Sequence, residues 1–184
     1  MLELFKKSVL FLLIFNLLIF NLFFAFSLAQ EQKQPTQPKS LLWYKYDEGL
    51  KKAKELKKHT LVFFYTNWCG YCKKMMKSTF EDAKVKKLLE DGFISVKVDA
   101  ESKNKVLVDS LLVSERELAS KYKVSAYPVT WFLKPNGEKI APMMGYVEPN
   151  SFSTILEYLK DKAYEKMSFS EYKNQKKNKA SDKK

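Results

Sequence analysis

The sequence is poor in the residues from which many catalytic and metal sites are built. It has two cysteines, one histidine and five glycines among 184 residues. A hydrolase with a Cys/His pair needs a histidine beside a cysteine, and His59, in a lysine-rich approach to an apolar run, is poorly suited to that role. One CxxC pair supplies half of a structural zinc site, and Lys73 follows Cys72, which excludes covalent attachment of a c-type haem. We therefore expect no metal and no other cofactor.

Positive charge dominates the chain without forming a recognisable binding motif. The formal net charge is +12, and it comes mainly from lysine. Arginines interleaved with aromatic residues, which would favour nucleic-acid binding, are lacking, and basic charge alone is a non-specific signal. We expect most lysines to lie on solvated surfaces and no nucleic acid to bind. Weak attraction to an anionic membrane surface stays open.

The two cysteines lie where a predicted strand gives way to a predicted helix. Residues 61–65 are a short run of apolar and aromatic side chains, typical of a buried strand, and an amphipathic helical pattern begins after Trp68. Unpaired N–H groups and the helix dipole at a helix N-terminus favour a thiolate over a thiol at Cys69. Cys72 follows about one helical turn later, close enough to close a small disulfide ring. The pattern predicts a reversible redox switch.

The same residues also allow purely structural interpretations. The cysteines are able to form a purely structural disulfide, although so short a loop removes little entropy from the unfolded chain. Lys73 and Lys74 either support a thiolate or are simply solvated. The methionine pairs at 75–76 and 143–144 permit a copper site, but methionine more often fills irregular gaps in a core, and we favour that role.

The residues around the cysteines resemble those of a known family. The segment Trp68-Cys-Gly-Tyr-Cys72 after an apolar strand, with Lys73-Lys-Met75 behind it, resembles the active site of exported thioredoxin-like thiol-disulfide oxidoreductases. The resemblance covers roughly residues 41–163 and continues, in the expected order, through Val124-Ser-Ala-Tyr-Pro-Val129, Thr130-Trp-Phe-Leu-Lys-Pro-Asn-Gly137 and Gly145-Tyr146. It implies an α/β fold: a single thioredoxin-like domain whose central mixed β-sheet is flanked by helices.

The resemblance also implies roles for individual residues. Cys69 and Cys72 would be catalytic, with the Cys69 thiolate attacking a substrate disulfide and Cys72 then resolving the mixed disulfide. Trp68 would lie beside the pair and limit its exposure. Gly70 and Tyr71, between the sulfurs, would tune the redox potential.

Two further implications concern residues elsewhere in the chain. The peptide bond between Tyr127 and Pro128 would be cis and lie against the cysteines, where the backbone pairs with an incoming substrate strand. Cytoplasmic thioredoxins place a buried carboxylate in the strand before the CxxC, and the matching position here is Phe63. Without that negative charge, we expect a pair that is somewhat more oxidising.

Outside the domain the sequence changes character at both ends. Residues 1–29 are predicted to be a secretory signal, because two lysines precede an apolar run over 9–28 and small residues precede a cleavage point after Ala29. The run is nearly long enough to span a bilayer, so an uncleaved membrane anchor is the alternative. The Gln- and Pro-rich residues 30–40 indicate a linker.

Periodicity and capping signals predict the elements of the domain over 41–163. Residues 100–113 exceed what the family pattern requires, and their apolar spacing predicts a helical insertion. The basic residues 164–184 predict a disordered tail. The other predicted elements are a helix over Asp47–Lys58, a helix capped by Asp82, a strand over Phe93–Val98, a helix with a Ser114/Glu117 capping box, a turn at Lys134–Gly137 and a helix over Asn150–Lys162.

Together these features lead us to expect a thiol-disulfide oxidoreductase that works in the periplasm or elsewhere outside the cytoplasm. Its expected partners are exported protein substrates with cysteines and a membrane redox partner, and reduction of the substrates is the favoured direction. The alternatives are a disulfide oxidase or isomerase, and a thioredoxin-like chaperone or assembly module that binds peptides without turnover.

Overall fold

The computed structural model describes residues 40–181. The predicted signal segment, and all of the predicted linker except its last residue, lie outside the described residues. Between residues 40 and 181 no helix combines the length and the apolar character that crossing a bilayer requires.

A five-stranded mixed sheet organises this part of the chain. The spatial order is β1-β3-β2-β6-β7, in which β1, β3 and β2 run parallel and β6 is antiparallel to both β2 and β7. The central strand, β2, is buried along nearly its whole length, which explains its continuous apolar sequence. The strands are β1 (Trp43–Tyr44), β2 (His59–Tyr65), β3 (Phe93–Asp99), β4 (Lys105–Val108), β5 (Leu111–Ser114), β6 (Val129–Leu133) and β7 (Lys139–Met144).

Helices connect and flank these strands. They are α1 (Tyr46–Leu56), α2 (Gly70–Lys77), α3 (Ala83–Gly92), α4 (Glu115–Lys121), α5 (Pro149–Lys160) and α6 (Phe169–Ser181), with a 3₁₀ turn at Ala163–Glu165. Two predicted caps are confirmed. The Asp82 carboxylate accepts hydrogen bonds from the first turn of α3, and Ser114 and Glu117 form a capping box on α4.

Two apolar clusters cover the two faces of the sheet. Because side chains alternate along a strand, Leu61 and Phe63 of β2 enter one cluster, whereas Val62 and Phe64 enter the other. The first cluster contains both cysteines together with Met75, Phe80, Leu89, Phe132, Phe152 and Leu156. Both cysteines therefore belong to the hydrophobic core of the domain.

The predicted helical insertion over 100–113 is wrong, because β4 and β5 form an antiparallel hairpin there. Its turn residues, Asp109 and Ser110, have φ values of 48° and 68°, the conformation of a tight turn that matches strand twist. Val106 is buried and its neighbour Leu107 is exposed. The segment therefore shows the alternating burial of a strand. Its turn lacks the usual Gly or Asn, so the sequence carried no clear signal for a hairpin.

The prediction of a disordered tail over 164–184 is corrected by α6. Ser168 and Glu171 cap this helix reciprocally: the Glu171 carboxylate accepts from the Ser168 amide at 2.8 Å, and the Ser168 hydroxyl accepts from the Glu171 amide at 3.3 Å. The Phe169 ring contacts the Tyr158 ring of α5 with their centroids 5.4 Å apart. A capped first turn and aromatic packing thus order a segment whose composition is polar.

His59 joins the central strand to the C-terminal region. Its ring is buried, its Nε2 lies 3.0 Å from the Tyr164 hydroxyl, and it contacts the Phe93 ring at 5.7 Å. Burial lowers the pKa of His59, and the cation of Lys162 lowers it further. The folded state therefore favours the neutral imidazole.

We expect the free energy of unfolding to decrease as the pH falls below about 6.5, because the unfolded chain then takes up a proton that folded His59 resists. The contribution of His59 to the change in unfolding free energy is at most about 1.4 kcal/mol per pH unit, and it vanishes well above pH 6.5. Urea denaturation at a series of pH values measures it. His59→Gln, which keeps a hydrogen-bonding group toward Tyr164, should flatten the slope. The chain has no other histidine, so an unchanged slope in this variant would contradict the assignment.

Candidate active site

The cysteines lie at the junction of β2 and α2, as the sequence predicts. Cys69 is the N-cap of α2, and its Sγ accepts a hydrogen bond from the Cys72 amide at 3.0 Å. Cys69 and Cys72 form a disulfide with an S–S distance of 2.10 Å and a Cα–Cα distance of 5.2 Å. Because the helix N-terminus directs N–H groups and the positive dipole end toward Cys69, it favours a thiolate there when the bond is reduced.

Both cysteine residues are buried, Cys72 more completely than Cys69. Cys69 is 5% exposed, and Cys72 is 1% exposed. Cys69 therefore keeps slightly more contact with solvent than Cys72. The nucleophilic role of Cys69 and the resolving role of Cys72 stay predictions here.

Four aromatic side chains, two of them exposed and two half-buried, lie on and around the CxxC segment. Trp68 is 66% exposed and Tyr71 is 63% exposed, although both are large apolar groups. The Trp68 ring contacts the Tyr127 ring edge-on at 6.0 Å, and the Tyr71 ring lies 6.4 Å from the Tyr146 ring. We call Trp68, Tyr71, Tyr127 and Tyr146 the aromatic rim. A rim of this kind offers apolar contact area to an extended peptide.

The Tyr127–Pro128 loop reaches the site through Tyr127, which contacts Trp68 and packs against the apolar cluster that contains both cysteines. The Tyr127–Pro128 peptide bond is cis, and the Pro128 carbonyl accepts a hydrogen bond from the Gly145 amide at 2.8 Å. Gly145 has a φ of 78°, a conformation that glycine adopts without strain. Gly70 is exposed, and a side chain at that position would meet no atom within 4 Å. The space over Gly70 is therefore open to a bound substrate.

A carboxylate that sequence reasoning missed fixes the position of Trp68. The Trp68 Nε1–H donates to the Glu101 carboxylate at 3.0 Å, and the Glu101 amide in turn donates to Asp99 at 3.1 Å. Burial raises the pKa of Tyr127, and the negative charge of Glu101 raises it further. Because Glu101 lies far from Trp68 in sequence and follows β3, only the parallel pairing of β2 with β3 brings the two together.

Lys74 is also engaged in a contact that the sequence did not reveal. Its Nζ lies 4.1 Å from the centre of the Tyr146 ring and 3.7 Å from the Glu148 carboxylate. The Tyr146 hydroxyl is within 3.2 Å of the Ser78 hydroxyl. Lys74 therefore supports one side of the aromatic rim through a cation–π contact.

Phe63 occupies the position at which cytoplasmic thioredoxins are expected to place a buried carboxylate. It is fully buried and belongs to the same cluster as both cysteines. Its ring contacts Phe80 edge-on at 5.0 Å, stacks on Tyr65 at 6.1 Å and lies 6.0 Å from Trp43. The floor of the site at this position is therefore aromatic and uncharged. Met75 is likewise fully buried in this cluster, as a core filler would be.

Comparison with known proteins supports the assignment of the fold and the chemistry. The family model for a thioredoxin-like domain matches residues 46–160, more than half of the chain. The disulfide bond reductase DsbH of Chlamydia pneumoniae is 28% identical over 114 residues, which cover 61% of this chain and 68% of that protein. A protein disulfide-isomerase of Zea mays is 32% identical over 101 residues, or 54% of this chain, but the match spans only 17% of that longer protein.

Solved structures show the same fold. A thioredoxin from Thermus thermophilus superposes with a TM-score of 0.55 at 27% identity, covering 66% of this chain and 88% of that one. A DsbH oxidoreductase superposes with a TM-score of 0.53 at 25% identity, covering 71% and 92%. The order of the strands, the CxxC pair at the start of α2 and these matches all indicate the same family. The chain therefore belongs to the thioredoxin-like family of thiol-disulfide oxidoreductases.

Proposed function

We propose that the chain reduces disulfides of exported, cysteine-containing proteins outside the cytoplasm, with Cys69 as the nucleophile and Cys72 as the resolving thiol. The observation that carries this proposal is the Cys69–Cys72 disulfide at the N-terminus of α2, in which Cys69 is the N-cap and the less deeply buried of the two cysteines. Similarity to a protein named as a disulfide bond reductase supports the direction.

The reaction requires two successive thiol-disulfide exchanges. The Cys69 thiolate attacks one sulfur of the substrate disulfide, forms a mixed disulfide and releases the other substrate sulfur as a thiolate. The Cys72 thiolate then attacks the Cys69 sulfur, which releases the second substrate thiolate and leaves the Cys69–Cys72 disulfide. The substrate gains two electrons, and the chain loses two.

The aromatic rim and the Pro128 loop would hold the substrate during these steps. Trp68, Tyr71 and Tyr127 present apolar surface around the sulfurs, while the backbone near Pro128 is proposed to pair with an extended segment. Main-chain pairing does not depend on side-chain identity, so we expect the site to accept varied sequences around the substrate cysteine. Gly70 leaves space for that segment to approach.

The sequence supports the proposed location and the proposed electron supply. The apolar run over 9–28 supports export, either as a cleaved signal or as a retained anchor. Compartments outside the cytoplasm are kept oxidising, so a reductase there needs a dithiol donor at the membrane to reduce its disulfide after each cycle. The chain has no further cysteines to pass electrons on.

Two other functions use the same surface. A disulfide oxidase or isomerase would run the exchange in another direction, and relatives named as protein disulfide-isomerases favour this candidate. A peptide-binding chaperone or assembly module would use the exposed aromatic rim without any thiol chemistry. The redox potential separates the first of these from a reductase, and cysteine variants separate the second.

The decisive measurement is the equilibrium reduction potential of the Cys69/Cys72 pair. The full chain is equilibrated in buffers of reduced and oxidised glutathione, the fraction reduced is followed by Trp68 fluorescence, and alkylated thiols are counted by mass spectrometry as a control. We expect a value near about −270 mV, the range of reducing thioredoxins. A value of about −120 to −180 mV would overturn the reductase assignment in favour of an oxidase or isomerase.

A further inference from the structure

A groove between α5 and α6 combines apolar and cationic side chains on the surface. Its volume is about 440 Å³, and half-buried Ile155 and Phe169 contribute apolar surface to it. Lys173, Lys176 and Lys177 line it as well. Among the described residues that line the groove there is no carboxylate. We call this feature the lysine groove.

The lysines of the groove crowd together on one face of α6. Positions 173, 176 and 177 are spaced at i, i+3 and i+4, which places their side chains side by side on a helix. Like charges at this spacing repel one another and destabilise a helix by roughly 0.2 to 0.5 kcal/mol for each pair. An anion held between these lysines would remove that repulsion.

A carboxylate of α5 that pairs with one groove lysine also pairs with a lysine outside the groove. Glu157, on α5, forms ion pairs with both Lys84 of α3 and Lys176 of α6. Burial lowers the pKa of Lys176, and the ammonium of Lys84 lowers it further. Glu157 thus supplies one negative charge to two lysines, and it does not itself line the groove. With the three groove lysines included, the sequence from Phe169 onward has six lysines and two acidic residues.

We propose that the lysine groove binds the phosphate headgroups of an anionic phospholipid bilayer. Ammonium groups above apolar side chains suit the boundary of a bilayer, where phosphates meet the first carbons of the lipid. Lysines near an anionic surface are attracted to it over a distance of about one Debye length. The groove would hold the C-terminal side of the domain against the membrane, independently of the redox reaction.

The sequence favours a membrane over other polyanions. The apolar run over 9–28 is predicted to direct the chain to a membrane for export and, if it is retained as an anchor, to keep the domain beside a bilayer. Nucleic-acid binding lacks the arginine and aromatic pattern that base or backbone recognition uses. An acidic protein segment has the right charge, but it has no particular use for the apolar surface of Ile155 and Phe169.

Amide hydrogen exchange tests the proposal on the full chain. The protein is placed in lipid nanodiscs of phosphatidylcholine alone or of phosphatidylcholine with phosphatidylglycerol at about 30%. We expect exchange of the α6 amides to slow by roughly tenfold or more in the anionic discs, since each bound lysine contributes several-fold in affinity. The slowing should disappear in about 1 M salt, which screens charges beyond roughly 3 Å.

Charge-matched variants separate this surface from net charge. The double substitution Lys173→Glu and Lys177→Glu should abolish the slowing in anionic discs. Lys51→Glu with Lys54→Glu changes the net charge equally at exposed positions on α1 and should leave the slowing intact. Equal exchange of α6 in both kinds of disc would overturn the proposal. Slowing by added poly-glutamate in phosphatidylcholine discs, with none from phosphatidylglycerol, would overturn it in favour of an acidic protein partner.

Discussion

Replacing Cys69 with serine is expected to abolish thiol-disulfide exchange by the protein. The serine hydroxyl stays protonated where a thiol at the N-terminus of α2 ionises, so the first attack on a substrate disulfide fails. Loss of a nucleophile reduces turnover by at least about a thousandfold. Reduction of insulin disulfides, followed by turbidity in dithiothreitol, measures the rate.

The companion substitution Cys72→Ser should behave differently. Cys69 remains able to attack, but the mixed disulfide has no resolving thiol, so a covalent complex with the substrate should accumulate. Non-reducing gel electrophoresis with and without dithiothreitol detects it. Exchange at the normal rate in both variants would refute the mechanism. Peptide binding that survives in the double variant, together with unchanged cellular activity, would identify the chaperone alternative.

Truncating Phe63 to alanine is expected to lower the free energy of unfolding by about 3 to 5 kcal/mol. The side chain is fully buried and contacts three other aromatic rings, so its removal loses both transfer free energy and specific ring contacts. Since small domains are stable by only about 5 to 15 kcal/mol, the variant should be close to unfolding at room temperature. Urea denaturation gives the shift of the midpoint.

Two controls define the origin of this effect. Phe63→Leu keeps most of the apolar volume and should cost less than about 1.5 kcal/mol. Tyr71→Ala removes a ring of similar size from an exposed position of the same site and should change stability by no more than about 0.5 kcal/mol. Equal losses for Phe63→Ala and Tyr71→Ala would show that burial in the cysteine-containing cluster is not the cause.

The sequence predicted those parts of the fold whose signals are local. The strand, turn and helix around Cys69, the Asp82 cap and the Ser114 capping box each depend on residues a few positions apart. The predicted turn at Lys134–Gly137 is also present, since the Gly137 amide donates to the Lys134 carbonyl at 2.9 Å. The cis peptide bond before Pro128 was expected from the family resemblance rather than from any local pattern.

The features that were missed depend on contacts between distant segments. Glu101 reaches Trp68 only through the pairing of neighbouring strands, and the ordering of α6 depends on packing against Tyr158. A signal for α6 was nevertheless present, because Ser168 and Glu171 have the spacing of a capping box. Lysine-rich composition concealed it. Composition reports the average solvation of a segment, and a few well-placed contacts are sufficient to override it.

The strand order also bears on how the protein acquires its activity as it folds. The partner of β2 on one side, β3, is nearer in sequence than its partner on the other side, β6. Closing the shorter loop costs less chain entropy, so we expect the β2–β3 half to assemble before β6 arrives. A chain that has emerged only as far as β3 would then carry both cysteines on a partial platform, without Tyr127 and Pro128. Such a partly folded chain would be able to exchange disulfides before it could select a substrate. It would therefore be the form most prone to react with unintended thiols and disulfides.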